Sequence, residues 1–269
     1  MKTANHLSFF TTCLLASLFL LLASSCEQNE PVDPSMPHEH SVYDPHTKST
    51  TYYGPAVPVG GGVARVRAEI SKNGEPLSIG VVLSDKAVTN LPHEMTEYVL
   101  QLPKKARLTP FDHFTLDWNP HGHEPDHIYT HPHFDMHFYT ISQDERASIG
   151  FNDPLAENLP DPQYMPASYI ALPGSIPMMG KHWVDPASPE LNGADFTQTF
   201  LWGSYNKKVI FLEPMITLDY LLSKPNKNFE LQQPAAYQQS GKYYPTSYSI
   251  RYDEKRKEHA IDLLGLIKR

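Results

Sequence analysis

Cysteine is nearly absent from this 269-residue chain: it has two, Cys13 and Cys26, both near the start. Beyond residue 26 the chain can build neither a disulfide framework nor a cysteine-ligated zinc site, so any metal must rest on His, Asp and Glu. Positive charge is also scarce. The 22 Lys and Arg are scattered among 30 Asp and Glu, for a formal charge of −8. That balance excludes a basic nucleic-acid-binding face. The chain has no Gly-rich phosphate loop, no nucleophile elbow and no C-x-x-C pair, which removes the commonest signatures of nucleotide, acyl-transfer and redox chemistry.

The first long apolar run, Leu7–Leu22, follows the single basic Lys2 and leads into Ala23-Ser24-Ser25-Cys26. A short apolar core with small residues after it reads as a secretory signal, too short and wrongly flanked to span a bilayer. A Cys directly after the small residues resembles a bacterial lipoprotein signal, cleaved before Cys26 and lipidated there, although Ala23 stands where Leu is usual. Residues 1–25 are therefore expected to be a signal peptide, and residues 26–59, rich in Pro, acids, Ser and Thr, a flexible tether. Residues 60–269 are expected to form a single domain. Removing residues 1–25 takes away Lys2 and no acid, so the formal charge becomes −9. The expected location is the bacterial cell envelope, with the membrane reached through the lipid anchor. His38, His40 and His46 fall in the tether and read as solvated.

The domain reads as a series of hairpins. Val63–Ile70 alternates, Asn73-Gly74 is a hairpin turn and Leu77–Leu83 continues as a second strand. Phe111–Trp118 alternates again, with Phe114, Leu116 and Trp118 on one face and His113, Thr115 and Asp117 on the other. Further hairpins are expected from Phe196–Trp202 with Lys208–Glu213, and from Tyr244–Tyr252 with His259–Ile267. Short helices are expected after Ser84, after Ser142 and from Pro214 to about Leu222. The expected fold class is α+β: mainly antiparallel sheet built from β-hairpins, with short helices packed on one side.

The organising stretch is Tyr129–Ile141, YTHPHFDMHFYTI. At period two, Phe134, Met136 and Phe138 line one face, and Tyr129, His131, His133, Asp135, His137 and Tyr139 line the other. Three imidazoles and a carboxylate on a polar strand face point to a metal or acid–base site. If this strand pairs with Phe111–Trp118, their apolar faces must coincide, so His113 and Asp117 lie on the side of His133 and Asp135. Same-face neighbours on a strand are about 6.6–7 Å apart and can share an ion, whereas His133 and His137, about 13 Å apart, cannot unless the strand bends. One neighbouring pair, His133 with Asp135 or Asp135 with His137, would be completed by His123, His182 or Glu213.

Four blocks, Gly122-His123-Glu124-Pro125, Pro132–Tyr139, Met179-Gly180-Lys181-His182-Trp183 and Leu212-Glu213-Pro214-Met215, resemble a family of secreted bacterial proteins of unknown function. Its members share G-H-E-P, P-H-F-D-x-H-F-Y, M-G-x-H-W and L-E-P-M in this order, and the closing YPTSYSIRY fits as well. The resemblance spans about residues 60–267. It brings no activity with it, but it singles out His123, His133, Asp135, His137, His182 and Glu213 and leaves out His121, His127 and His131.

The expectation is an exported, lipid-anchored protein with a divalent-metal site on a sheet face, zinc first, Mn or Fe also compatible with imidazole and carboxylate donors. The candidate ligands are His123, His133, Asp135, His137, His182 and Glu213. Metal-assisted hydrolysis or hydration would use Asp135 or Glu213 as ligand or general base. The alternative is a non-catalytic binding or assembly protein whose His/Asp cluster is structural. In that case His182 packs beside Trp183, Glu213 caps a helix and Asp135 only orients an imidazole. A small-molecule ligand and a homo-oligomer are left open by the sequence, and nucleic acid is not an expected partner.

Overall fold

The computed structural model describes residues 40–269, so the signal peptide, Cys26 and His38 lie outside the described residues. Strands β1 (His40–Asp44), β2 (Ser49–Tyr53), β3 (Val57–Val59), β4 (Gly62–Ser71) and β5 (Pro76–Ser84) come first. They are followed by β6 (Thr96–Leu100), β7 (His113–Asn119), β8 (His133–Tyr139) and helix α1 (Gln143–Ala147). A long irregular stretch holding β9 (Ile170–Ala171) and β10 (Lys181–Val184) leads to β11 (Gln198–Tyr205), β12 (Lys208–Thr217) and helix α2 (Leu218–Leu222). The chain closes with β13 (Asn226–Glu230), β14 (Tyr243–Tyr244), β15 (Ser247–Asp253), β16 (Glu258–Leu264) and β17 (Ile267–Lys268).

Two large antiparallel sheets organise these strands. One runs β1-β2-β4-β5-β16-β15-β13 with β3 also against β4; the other runs β6-β7-β8-β12-β11-β10-β9. Their facing sides share one core. Ala64, Val66 and Ala68 of β4, Ile79, Val81 and Leu83 of β5, and Ile261 and Leu263 of β16 come from the first sheet. Phe114, Leu116 and Trp118 of β7, Phe134, Met136 and Phe138 of β8, and Leu212 and Ile216 of β12 come from the second. Alternation at period two therefore places one greasy row per strand between the sheets, as in a sandwich.

This architecture corrects the α+β expectation. The fold is largely β, and the two α-helices among the described residues are five residues each. A sheet that buries its apolar face against a second sheet needs no helical layer. The turn after Ser84 is a short 3-10 segment, Asp85–Val88. Helix α1 has the expected capping box, Ser142 with Glu145, but ends within five residues. Pro214 does not open a helix: it lies inside β12, opposite Phe200 of β11. The cap of α2 is Thr217, whose Oγ1 accepts from the Tyr220 N–H. Strand pairing also begins earlier than expected. β1 and β2 pair with each other and β2 pairs with β4, so His40 onward joins the sheet that the tether was expected to precede. The alternation of His40, Val42 and Asp44 with Ser41 and Tyr43 was masked by the polar composition around it.

The hairpins β4–β5, β7–β8, β11–β12 and β15–β16 form where expected. The tight turn of β11–β12 is Asn206-Lys207, both at positive φ, the backbone that matches strand twist in a two-residue hairpin. Strand β8 is shorter than the alternating stretch: Tyr129 and His131 precede it.

Candidate metal centre

The β7–β8 register sets His113 opposite Tyr139, Thr115 opposite His137, Asp117 opposite Asp135 and Asn119 opposite His133. Strand β12 flanks β8 on its other side, with Phe211 opposite Tyr139, Met215 opposite Asp135 and Thr217 opposite His133. The same register carries Glu213 to His137. All seven residues of β7 and all seven of β8 are buried, so the polar row is not a solvated face. Apolar groups close over both ends. Tyr129, Phe196, Leu201 and Met215 cluster near His133, and Tyr139, Ile141, Ile210 and Phe211 cluster near His137. Charges placed between such groups interact strongly because water is excluded.

The six candidate ligands form two triads, His123 with His133 and Asp135, and His137 with His182 and Glu213. Within each, one donor atom per residue lies within 4.8 Å of the others. In the first, His133 Nε2 is 3.0 Å from Asp135 Oδ1 and His123 Nε2 is 3.3 Å from Asp135 Oδ2. In the second, His137 Nε2 is 3.3 Å from Glu213 Oε1 and His182 Nε2 is 3.5 Å from Glu213 Oε2. Donors held at 2.0–2.2 Å around a tetrahedral zinc are separated by about 3.3–3.5 Å. The observed separations suit a shared cation.

Hydrogen bonding at the far side of each ring sharpens this fit. His133 Nδ1 donates to the His131 carbonyl at 2.7 Å, and His123 Nδ1 donates to the Glu124 carbonyl at 2.7 Å. A carbonyl only accepts, so in the neutral ring the proton sits on Nδ1 and the Nε2 lone pair faces Asp135. His137 Nδ1 lies 3.0 Å from Asp117 Oδ2, so a carboxylate takes the same part there. Metal-bound histidines hold their outer N–H in this way. His133 Nε2, Asp135 Oδ1, His137 Nε2 and Glu213 Oε2 are buried without a hydrogen-bond partner. Lone pairs brought together in a dry site repel unless a proton or a metal ion sits between them.

Protonation responds accordingly. Burial opposes charge on His123, yet Asp135 prevails and raises it to about 9. Burial likewise opposes charge on His137, and Glu213 and Asp117 raise it to about 9. Burial pushes the Glu213 carboxyl up to about 8. Burial would also raise Asp135, but His133 and His123 outweigh it and hold that carboxyl well below the usual carboxylate range. His182 is driven down to about 3 by burial and by the nearby His137. The face thus retains protons that a dication would displace.

Each ligand is delivered by a different local device. His123 sits in the loop between β7 and β8, turned back by Gly122 at φ +67, where a Cβ would fall 2.1 Å from the Tyr129 carbonyl oxygen. The His123 N–H then donates to that carbonyl at 3.0 Å. His182 reaches from β10, beyond β11. Glu213 is mid-strand rather than at a helix cap, which sets aside the capping explanation. His131 contributes only its carbonyl. Sequence reasoning placed Asp117 on this side without assigning it a part, and missed Asn119, whose Nδ2 donates to Asp135 Oδ2 at 2.8 Å. The signal for both was the odd-position alternation of β7 read through the hairpin register.

A family model described as TTHB210-like, hypothetical protein TTHB210, matches residues 71–118. The match runs from the end of β4 through Trp118, includes Asp117 and stops before all six candidate ligands. It supports similarity to a family of unknown function. No curated protein and no solved structure matches the chain.

Proposed function

We propose that this is an exported, lipid-anchored metalloprotein of the bacterial cell envelope that activates water at a divalent ion held by His123, His133 and Asp135. The observation that carries the reading is the buried His133 Nε2 facing Asp135 Oδ1 at 3.0 Å with no hydrogen bond, while His133 Nδ1 is tied to a carbonyl. Zinc is favoured. A divalent ion there supplies Lewis acidity and a water acidic enough for hydrolysis or hydration near neutral pH. Asp135 serves as ligand, Asn119 fixes its second oxygen, and the carbonyls of His131 and Glu124 fix the imidazoles. His123, whose side chain is 37% exposed, leaves that side of the triad open to solvent and to a small-molecule substrate. The N-terminal signal pattern and Cys26 support the anchor, and the resemblance of the four blocks to a secreted bacterial family supports export.

A second reading has its own support. Two histidines and one carboxylate form the donor set of non-haem Fe(II) oxygenases, so iron is the competing metal and oxygen chemistry the competing activity. The first test is elemental analysis of the untagged full chain, solubilised in detergent, beside a His133→Ala/His137→Ala double variant. Near-stoichiometric zinc in the wild type that disappears in the variant supports the reading. Iron instead of zinc selects the oxygenase reading. A folded, metal-free wild type that rebinds none of these ions overturns both and leaves the cluster as a structural ladder in a binding or assembly protein.

A further inference from the structure

We propose that the same sheet face holds two divalent ions at once, and that the second, in the triad His137, His182 and Glu213, is a closed structural cross-link rather than a reaction site. This rests on the metal reading above. The ligands fall into two separate groups rather than one, and on a straight strand His133 and His137 lie about 13 Å apart at their Cα atoms, which disfavours a single ion serving both. Each triad also has four donor atoms of its own, two imidazole nitrogens and two carboxylate oxygens that face different rings, and a separate outer partner. For the second triad that partner is Asp117, beside His137 Nδ1. Its orphaned atoms are its own too, since His137 Nε2 and Glu213 Oε2 are buried without hydrogen bonds. The buried carboxylates Asp117, Asp135 and Glu213 nearly offset two dications, so the pair does not leave a large uncompensated charge in the interior.

The two sites differ in access and in what they join. The first includes the loop residue His123, more than a third exposed. In the second, His137 and Glu213 are buried and the His182 side chain is 15% exposed. Its ligands come from β8, β12 and β10, so an ion there ties three strands of one sheet and spans the intervening β11. Gly203 of β11, paired with His182, makes that span feasible. A Cβ at this position would fall 2.0 Å from Phe211 Cε1, and the Phe211 ring packs against both His137 and His182. An ion enclosed in this way contributes to folding stability, and one bordering solvent exchanges.

The test is zinc stoichiometry and release. The full chain in detergent is stripped with EDTA, reloaded with zinc and challenged with a colorimetric chelator. The expected result is two equivalents leaving in a fast and a slow phase. His123→Ala should retain one equivalent and lose the fast phase. His182→Gln should retain one equivalent, lose the slow phase and melt at a lower temperature. No zinc at all in the wild type overturns the metal reading itself. One equivalent, abolished by either variant, leaves that reading standing and overturns the second ion. Two equivalents released in a single phase overturn the division into open and closed sites.

Discussion

Raising the pH should destabilise the metal-free protein, and His137 sets the scale. Its proton is held in the folded state to about 9 against an ordinary value of 6.5. A group whose folded pKa is raised contributes stability that is complete below the unfolded value and lost as pH climbs through the folded one. That rise corresponds to about 3 kcal/mol. For a domain of this size that amounts to about 6–12 °C in melting temperature. Glu213, raised to about 8 by burial, shifts stability in the same direction as part of the same coupled pair. His123 adds little because its exposure screens it. His182, pushed down to about 3, costs stability only as pH falls below its ordinary value and so lies outside this window. The assay is thermal unfolding by circular dichroism of EDTA-treated protein between about pH 6 and 9.5. The melting temperature should fall steadily above about pH 6.5, and the zinc-loaded protein, whose ligand protons are already displaced, should show no such slope. A flat profile in the chelated protein, or one that rises towards alkaline pH, refutes the argument.

Three further outcomes test other parts of the structure. Asp117→Asn lets an amide donate to His137 Nδ1 and favours the wrong tautomer. Zinc affinity of one site should fall about 10–100-fold in chelator competition, with the other site unchanged. Phe138→Ala empties a buried position between the sheets and should cost about 3–5 kcal/mol in urea unfolding. Removing residues 1–53 takes away β1 and β2 and bares the edge of β4 from Arg67 to Ser71, so the shortened protein should self-associate in size-exclusion chromatography. A monomer of unchanged stability would show that these strands are dispensable.

Local chemistry wrote the hairpins into the sequence. Period-two alternation in β7 and β8, and turn residues such as Asn73-Gly74 and Asn206-Lys207, depend only on neighbours a few residues away. Once the strands were paired by their apolar faces, Asp117 had to stand beside the histidine row. The same alternation set His133 and His137 too far apart on a straight strand to share one ion. The six candidate ligands were legible because imidazole and carboxylate are unusual on a strand face.

Tertiary structure decided what those local rules leave open. Whether a half-greasy sheet is covered by helices or by a second sheet depends on contacts between distant segments, and here β4, β5 and β16 take the place of the expected helical layer. Pro214 is a good first helical residue in isolation, but the long-range pairing of β12 keeps it in a strand. The polar-looking segment from His40 forms a hairpin, β1 with β2, that joins the sheet through β4. The sorting of six ligands into two triads was likewise invisible in the sequence. His182 meets Glu213, and His123 meets Asp135, only because a sheet places β10 within reach of β12 and a glycine turns a loop back over β8.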